Sequence, residues 1–235
     1  MEEKKPDRRW IVLVVFAVVA AVVVGAVLIG QSGGSDDDTT STSASSTEEA
    51  SADGSCEEVD VPETKDVSFD APEEVLEKGE AATAVVKTNC GTFEIALDTE
   101  RAPKTANSFA FLAEEGFYDD LTFHRVSPGF VIQGGDPEGT GTGGPGYTVE
   151  EKPPPNLSYT KGVVAMAKSE VDPPGTSNSQ FFVVTAPDAG LPPEYALLGK
   201  VSEGYDVVEK IDALGTEEEK PTQTVLIEEV TIEQG

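Results

Sequence analysis

The sequence begins with an apolar run long enough to cross a membrane. From Trp10 to Gly30 there are 21 residues without a charge. At about 1.5 Å per residue, a helix of this length spans the roughly 30 Å hydrocarbon core of a bilayer. A secretory signal has a shorter apolar region, of about 7 to 15 residues, and a small-residue cleavage site that this run lacks. The run therefore predicts a transmembrane signal-anchor helix over residues 10–30, with a cleaved and unusually long signal as the alternative.

The charges on either side of this run predict its orientation. Lys4, Lys5, Arg8 and Arg9 precede the run, whereas acidic residues follow it. The positive-inside rule places residues 1–9 in the cytoplasm. We therefore expect a single-pass protein of the cell membrane with the rest of its chain on the extracytoplasmic side.

Residues 31–81 have the composition of a linker. They are rich in Ser, Thr, Asp and Glu and contain few large apolar side chains. Such a segment buries too little apolar surface to offset the entropy of ordering its chain. We expect a disordered acidic linker that ends where a folded domain, residues 82–234, begins.

The acidity of the chain excludes one class of partner. The sequence has 44 Asp and Glu against 16 Lys and Arg, a net charge of −28. Nucleic acid is not expected to bind, because recognition of phosphates needs a basic surface. The acidity fits a solvated surface or a high-salt habitat, and composition alone does not separate the two.

The two cysteines of the chain, Cys56 and Cys90, both follow the predicted membrane helix. On the extracytoplasmic side a disulfide between them would persist, and it would close a loop of about 35 residues. Two unpaired thiols are the alternative. No metal site is expected, since two cysteines and the single histidine, His124, do not make a four-ligand set.

Residues 82–234 carry the pattern of a mainly β domain. Short runs rich in β-branched and aromatic residues are separated by Gly and Pro, which favours an antiparallel barrel or sandwich. The turn Asn-Cys-Gly between the first two runs is typical of a hairpin. The predicted strands are Thr83–Thr88, Thr92–Leu97, Thr122–Val126, Phe130–Gln133, Val163–Ala167, Gln180–Thr185, Ala196–Val201 and Val225–Ile232.

Two segments have helical spacing instead. The first begins at Pro103, which suits the first turn of a helix, and Gly116 is suited to end it. The second has Val207, Val208 and Ile211 on one stripe and Gly215 as its stop.

One glycine motif in the domain does not indicate a dinucleotide site. Gly141, Gly143 and Gly146 form a literal G-x-G-x-x-G, which in a dinucleotide site follows a strand and opens a helix. Here extended residues and the prolines 153–155 follow, so we interpret the segment as a surface loop. The chain also lacks a two-histidine metal motif and a G-x-S-x-G elbow, although a hydrolytic triad of distant residues stays open.

The segment FHRVSPGFVIQGGDP, residues 123–137, resembles the signature F-H-R-x-x-P-G-F-x-x-Q-G-G-D of the cyclophilin family. Together with the predicted anchor, it resembles a bacterial membrane-anchored member. The resemblance implies a closed eight-stranded antiparallel β-barrel capped by two α-helices, and peptidyl-prolyl cis-trans isomerase (rotamase) activity that needs no cofactor. Supporting segments in order are APKTANSF at 102–109, GTGTGGPGY at 139–147, VAMAKSE at 164–170, NSQFFVVTA at 178–186 and LLGKVSEGYDVVEKI at 197–211.

The resemblance also implies the site residues. Arg125 would be catalytic, donating a hydrogen bond to the prolyl nitrogen and weakening the amide resonance. Gln133 would hold the substrate carbonyl, and the backbone of Ala167 and Lys168 would bind the peptide in extended form. The residues implied to bind the proline ring are Phe130, Val131, Phe182, Leu191 and Tyr195.

Three positions depart from the family pattern. Val131 stands where many members have Met, and Tyr195 replaces a frequent His. Gly190 occupies the position at which cyclosporin-sensitive members carry Trp. These departures predict retained activity with weak cyclosporin binding.

Two functions follow as hypotheses. The first is a monomeric isomerase that assists the folding of extracytoplasmic proteins and takes proline-containing polypeptides as substrates. The alternative is a chaperone or scaffold that binds proline-containing segments and for which catalysis is incidental.

Overall fold

The structure is a computed structural model that describes residues 55–235. The predicted membrane helix at 10–30 and the first part of the predicted linker lie outside these residues. Between residues 55 and 235, no helix is long and apolar enough to cross a membrane.

The described residues form a mainly β domain with two helices. The predicted hairpin, both helices and all eight strand runs are present, although the run Thr122–Val126 is split into two short strands. The helices are α1 (Pro103–Glu114) and α2 (Tyr205–Asp212). The strands are β1 (Ala82–Thr88), β2 (Gly91–Leu97), β3 (Leu121–Thr122), β4 (Arg125–Ser127), β5 (Val131–Gly134), β6 (Val149–Glu150), β7 (Val163–Met166), β8 (Thr176–Ser177), β9 (Phe181–Val184), β10 (Leu197–Glu203) and β11 (Leu226–Gln234).

Nine of these strands form one antiparallel sheet in the order β3-β11-β1-β2-β10-β7-β9-β5-β4. The two edge strands, β3 and β4, are successive segments of chain separated only by Phe123 and His124. The chain switches at these residues from pairing with β11 to pairing with β5. The nine-stranded sheet therefore curls into a half-barrel whose two end strands are joined by two residues of chain. Strands β6 and β8 pair separately, and their two residues each are too few for a periodic pattern to reveal.

Helix α1 begins at Pro103 and is followed by Gly116 at a φ of 63°, as its sequence predicts. No side chain at its own N-terminus caps it. Instead the carboxylate of Glu151 accepts hydrogen bonds from the backbone N–H groups of Lys104 (3.2 Å) and Thr105 (2.8 Å). A distant acid thus satisfies the free N–H groups that every helix start leaves.

The larger core joins one face of the sheet to both helices. In α1, Phe109 stacks on Tyr118 and meets Phe181 of β9 edge to face. In α2, Val207, Val208 and Ile211 are buried as predicted, but the helix ends at Asp212, three residues before Gly215. The sheet's other face carries a second apolar cluster, described below with the site.

Residues 55–81, which fall within the predicted linker, contact the domain at several points. Leu76 is buried in the larger core, and Phe69 packs edge to face on Phe111 with ring centroids 5.2 Å apart. The predicted disulfide between Cys56 and Cys90 is present and joins this segment to the turn between β1 and β2. A few apolar side chains and one covalent bond order a segment whose average composition is polar.

Candidate active site

Arg125 lies at the start of the edge strand β4, directly across from Gln133 of β5. Its Nε donates to Glu219 Oε2 at 2.7 Å, and one terminal nitrogen donates to Gln133 Oε1 at 3.2 Å. The side chain of Arg125 is 32% exposed. The guanidinium is therefore held from two sides while part of it faces solvent.

Glu219 was not identified from the sequence. It lies in the acidic run that follows α2, where a glutamate has the pattern of an exposed surface residue. In the structure Glu219 has a φ of 58°, its carbonyl accepts from the backbone N–H of Val126, and its carboxylate accepts from the hydroxyl of Ser127 at 2.8 Å. Hydrogen bonds from Arg125 and Ser127 lower the pKa of Glu219, so its carboxylate is charged at neutral pH.

A row of amide side chains continues from Arg125 into the protein. Gln133 Nε2 donates to Gln180 Oε1 at 3.0 Å, and Gln180 Nε2 donates to the carbonyl oxygen of Gly143 at 2.9 Å. Gln180 is 3% exposed. In each glutamine the side-chain oxygen accepts one hydrogen bond and the side-chain nitrogen donates one. Gln133 is therefore fixed in orientation by Gln180, a residue that sequence reasoning missed.

The second apolar cluster lies beside this row and is called the outer cluster here. Phe182 of β9 is its central ring, with its centroid 5.6 Å from that of Tyr195 and 6.3 Å from that of Tyr159. Six of the seven residues predicted to bind substrate belong to the outer cluster. These six are Phe130, Val131, Ala167, Phe182, Leu191 and Tyr195.

Tyr159 is a further member of the outer cluster that the sequence did not reveal. It is fully buried, its hydroxyl donates to the carbonyl oxygen of Tyr195 at 2.6 Å, and the same hydroxyl accepts from the backbone N–H of Tyr195 at 3.0 Å. Burial raises the pKa of Tyr159 to about 12. The neutral hydroxyl therefore fixes the loop that carries Tyr195.

Phe130 is held on a tight turn by α2 and β9. Asp212, at the end of α2, accepts from the backbone N–H of Gly129 at 3.0 Å and from the hydroxyl of Thr185 at 2.8 Å. The carbonyl oxygen of Phe130 accepts from the backbone N–H of Thr185 at 3.0 Å. The ring of Phe130 lies beside Arg125, with the guanidinium carbon 6.0 Å from the ring centroid.

Lys168 is the one predicted substrate-binding residue outside the outer cluster, although its ammonium lies 5.7 Å from the ring centroid of Tyr195. Its ammonium donates to the carbonyl oxygens of Ser169 (3.1 Å) and Asp172 (3.2 Å), and its side chain is only 5% exposed. The backbone N–H of Ala167 donates to the carbonyl of Gln180 at 2.8 Å. The backbone N–H of Ala167 is thus engaged within the domain, and the ammonium of Lys168 binds carbonyl groups of the loop that follows it.

His124 lies next to Arg125 with both ring nitrogens buried and without a hydrogen-bond partner among residues 55–235. Burial is the main cause that lowers its pKa, opposed by nearby Asp136 and aided by Arg125. The imidazole is therefore neutral at pH 7 and cannot serve there as a charged group.

A pocket of about 330 Å³ is lined in part by three members of the outer cluster, Leu157, Val163 and Leu197. Its lining includes Arg101, Leu157, Val163, Leu197 and Lys200, and none of the predicted site residues. The candidate site is instead the open surface formed by Arg125, the amide row and the outer cluster.

A sequence model of the family described as "Cyclophilin type peptidyl-prolyl cis-trans isomerase/CLD" matches residues 83–232, most of the described domain. The chain belongs to this family. This cyclophilin is 40% identical over 152 residues to "Peptidyl-prolyl cis-trans isomerase-like 1" of Neurospora crassa, covering 63% of this chain and 91% of the relative. It is 41% identical over 170 residues to "Peptidyl-prolyl cis-trans isomerase B" of Streptomyces anulatus, covering 64% and 95%.

Solved structures agree with the sequence comparison. A cyclophilin-type isomerase of Cryptosporidium parvum, crystallised in the presence of the dipeptide Ala-Pro, superposes with a TM-score of 0.60 at 30% identity. The superposition covers 65% of this cyclophilin and 99% of that chain. The described domain is therefore a cyclophilin-type peptidyl-prolyl cis-trans isomerase with a curled half-barrel sheet and two helices.

Proposed function

We propose that this cyclophilin isomerises X-Pro bonds of extracytoplasmic polypeptides, with Arg125 as the catalytic residue. The observation that carries the proposal is the guanidinium of Arg125, fixed by Glu219 and Gln133 beside the outer cluster. Arginine has five N–H donors, and the contacts within residues 55–235 engage two of those on Arg125. The remaining donors can reach a substrate.

The reaction needs a donor and no proton transfer. Rotation about a peptide bond has a barrier of about 18–20 kcal/mol, because resonance gives the C–N bond partial double-bond character. A hydrogen bond from Arg125 to the prolyl nitrogen holds the nitrogen lone pair and so weakens that resonance. Because arginine stays charged and its fork is preorganised by Glu219, the stabilisation is available without reorganisation during the rotation.

The outer cluster supplies the surface for the proline ring. Phe130, Val131, Phe182, Leu191 and Tyr195 would contact the ring, and Gln133 would donate to the carbonyl of the substrate. The Ala-Pro dipeptide present with the Cryptosporidium parvum relative supports proline-containing substrates. Aromatic rings beside a restrained guanidinium favour binding of a substrate residue whose side chain is apolar and whose backbone is polar, as in proline.

The N-terminal residues support the proposed extracytoplasmic location of the reaction. The apolar run at 10–30, with its preceding basic residues, favours a membrane anchor and an exported domain. The disulfide between Cys56 and Cys90 supports the same side, since disulfides persist in oxidising compartments. Digestion of the domain by protease added to intact cells would test this topology. A domain protected until the membrane is ruptured contradicts it.

The test of catalysis is the rate of cis-trans exchange at an Ala-Pro bond, measured by NMR exchange spectroscopy on the full chain in detergent. We expect Arg125→Ala to lower kcat/KM by about 100-fold or more, the loss typical of one preorganised donor. The matched control is Arg101→Ala, which removes an exposed arginine paired with Asp98 and should leave the rate unchanged. Exchange by the unaltered chain at the uncatalysed rate, with peptide binding retained, would favour the proline-binding chaperone instead.

A further inference from the structure

The segment that precedes the family match runs along the domain and is called the strap here, residues 55–76. Its start is joined to the β1–β2 turn by the disulfide, and by a hydrogen bond from the backbone N–H of Glu57 to the carbonyl of Asn89. Near its end, the side-chain oxygen of Asn107 in α1 accepts from the backbone N–H groups of Val75 and Leu76. Both ends of the strap are therefore anchored on the domain.

Between these anchors the strap holds the glycine-rich loop, residues 137–146. The backbone N–H of Lys65 donates to the carbonyl of Pro137 at 3.0 Å, and that of Phe69 donates to the carbonyl of Pro145 at 2.8 Å. These two prolines stand near opposite ends of the loop. The approach is close, because a Cβ at Gly146 would clash with the hydroxyl of Ser68.

The strap is kept in this place by side-chain contacts with the body of the domain. The ring of Phe69 packs against those of Phe111 and Phe117, with centroids 5.2 and 6.4 Å away. The ammonium of Lys65 donates to the carbonyl of Gly116 at 3.2 Å. The loop's outer backbone is thus tied through Phe69 and Lys65 to helix α1 and the turn after it.

The same loop accepts the last hydrogen bond of the amide row. Gly143 accepts from Gln180, Gln180 accepts from Gln133, and Gln133 accepts from Arg125. A continuous series of contacts therefore leads from the strap through the loop to the guanidinium.

We propose that the strap is a positioning element of the active site, with Phe69 as the side chain that seats it. The inference rests on the proposed role of Arg125. Loss of the ring lets residues 65–69 move away from Pro137 and Pro145, so the loop no longer fixes the carbonyl that orients Gln180. The effect falls on kcat more than on KM, since Phe69 packs on the larger core and the proline-binding rings belong to the outer cluster.

The test compares Phe69→Ala with the unaltered full chain in the Ala-Pro exchange assay, well below the melting temperature of each. We expect kcat to fall by roughly threefold to thirtyfold, with little change in KM, the range typical of residues that act through a contact network. The matched control is Val61→Ala, which removes an apolar side chain from the same strap where it is 78% exposed. This control should leave kcat unchanged. Phe69→Leu retains part of the apolar contact and should therefore keep much of the kcat that Phe69→Ala loses.

A second readout does not depend on activity. The side-chain amide NMR signals of Gln133 and Gln180 should shift in Phe69→Ala and stay in place in Val61→Ala. Unchanged kcat and unchanged amide signals in Phe69→Ala would overturn the inference, as would an equal loss in Val61→Ala. If the unaltered chain has no activity, the proposed function fails, and the amide signals still decide whether the strap orders the row.

Discussion

The carboxylate of Glu219 lies 2.7 Å from Nε of Arg125, 94 residues away along the chain. Its second oxygen accepts from the hydroxyl of Ser127, which stands two residues after Arg125 on the same strand. The carboxylate therefore bridges two side chains of β4, the guanidinium of Arg125 and the hydroxyl of Ser127. This arrangement fixes the side chain of Arg125 with one terminal nitrogen directed toward Gln133.

Removal of this carboxylate should reduce activity without removing Arg125. We expect Glu219→Ala to lower kcat/KM roughly tenfold, because small displacements of a catalytic group have large effects on rate. The measurement is Ala-Pro exchange, and Glu218→Ala is the control because Glu218 is an exposed neighbour in the same acidic run. Equal rates in the two variants would show that Glu219 does not position the guanidinium.

The stability of the domain should decrease in mild acid because of His124. Burial lowers the pKa of His124 from its ordinary value of 6.5, so the unfolded chain binds a proton at higher pH than the folded one. Stability is then lost as pH falls below 6.5, and we expect the melting temperature to decrease between about pH 7 and pH 5. His124→Gln should flatten this decrease, since the chain has one histidine. An identical slope in the variant contradicts the assignment.

The contribution of Glu219 to stability should change with pH in a more acidic range than that of His124. Hydrogen bonds from Arg125 and Ser127 lower its pKa from the ordinary 4.5. Its contribution is therefore complete above that ordinary value and is lost as pH falls through the lowered pKa. Comparison of Glu219→Gln with the unaltered chain should show a difference in melting temperature at neutral pH that shrinks in strong acid. A difference that does not depend on pH would mean that the charge of Glu219 does not matter.

The two tyrosines of the outer cluster should respond differently to loss of the hydroxyl. Tyr159→Phe removes a buried hydroxyl that both donates to and accepts from the backbone of Tyr195, so we expect a loss of about 1–3 kcal/mol in the free energy of unfolding. KM should rise as the loop that carries Tyr195 loosens. Tyr195→Phe keeps its ring contact with Phe182 and should change stability by less than about 0.5 kcal/mol. Urea unfolding and exchange kinetics measure both, and equal effects would contradict this account.

Reduction of the disulfide should destabilise the domain. The bond between Cys56 and Cys90 spans 34 positions, and loop-closure entropy gives about 3–4 kcal/mol for its loss. Because the chain has only two cysteines, a thiol reductant has a single target. The unaltered chain in reductant should match Cys56→Ser in urea unfolding, and the variant should be insensitive to reductant. A further loss in the variant would point to another cause.

Cyclosporin should bind weakly. Gly190 is exposed, has a φ of 65°, and a Cβ placed there would meet no atom within 4 Å. The family resemblance implies an indole ring at this position in cyclosporin-sensitive members, and loss of a Trp anchor weakens binding by more than about tenfold. Isothermal titration against a Trp-bearing cyclophilin measures the difference. Equal affinities would mean that Gly190 is not the deciding position.

Local pattern was sufficient for much of the domain. The β1–β2 hairpin follows from two β-branched runs around Asn-Cys-Gly, and the start of α1 follows from Pro103, because such features depend on neighbouring residues. Arg125, Phe130 and Gln133 belong to one continuous segment, so the resemblance carried by that segment named them together. Contacts between residues that are close in the chain can be predicted from one stretch of sequence.

Contacts between distant residues were decided only by folding. Glu219 is one of several similar acids until the chain after α2 brings it to Arg125, and Tyr159 has no local signal until it meets Tyr195. The acidic composition of residues 31–81 describes an average, whereas the order of the strap depends on where Phe69 and Leu76 meet the core. The place of β3 at one edge of the sheet likewise depends on its pairing with β11, more than 90 residues away. These features are sums of long-range contacts, and such contacts exist only in the folded chain.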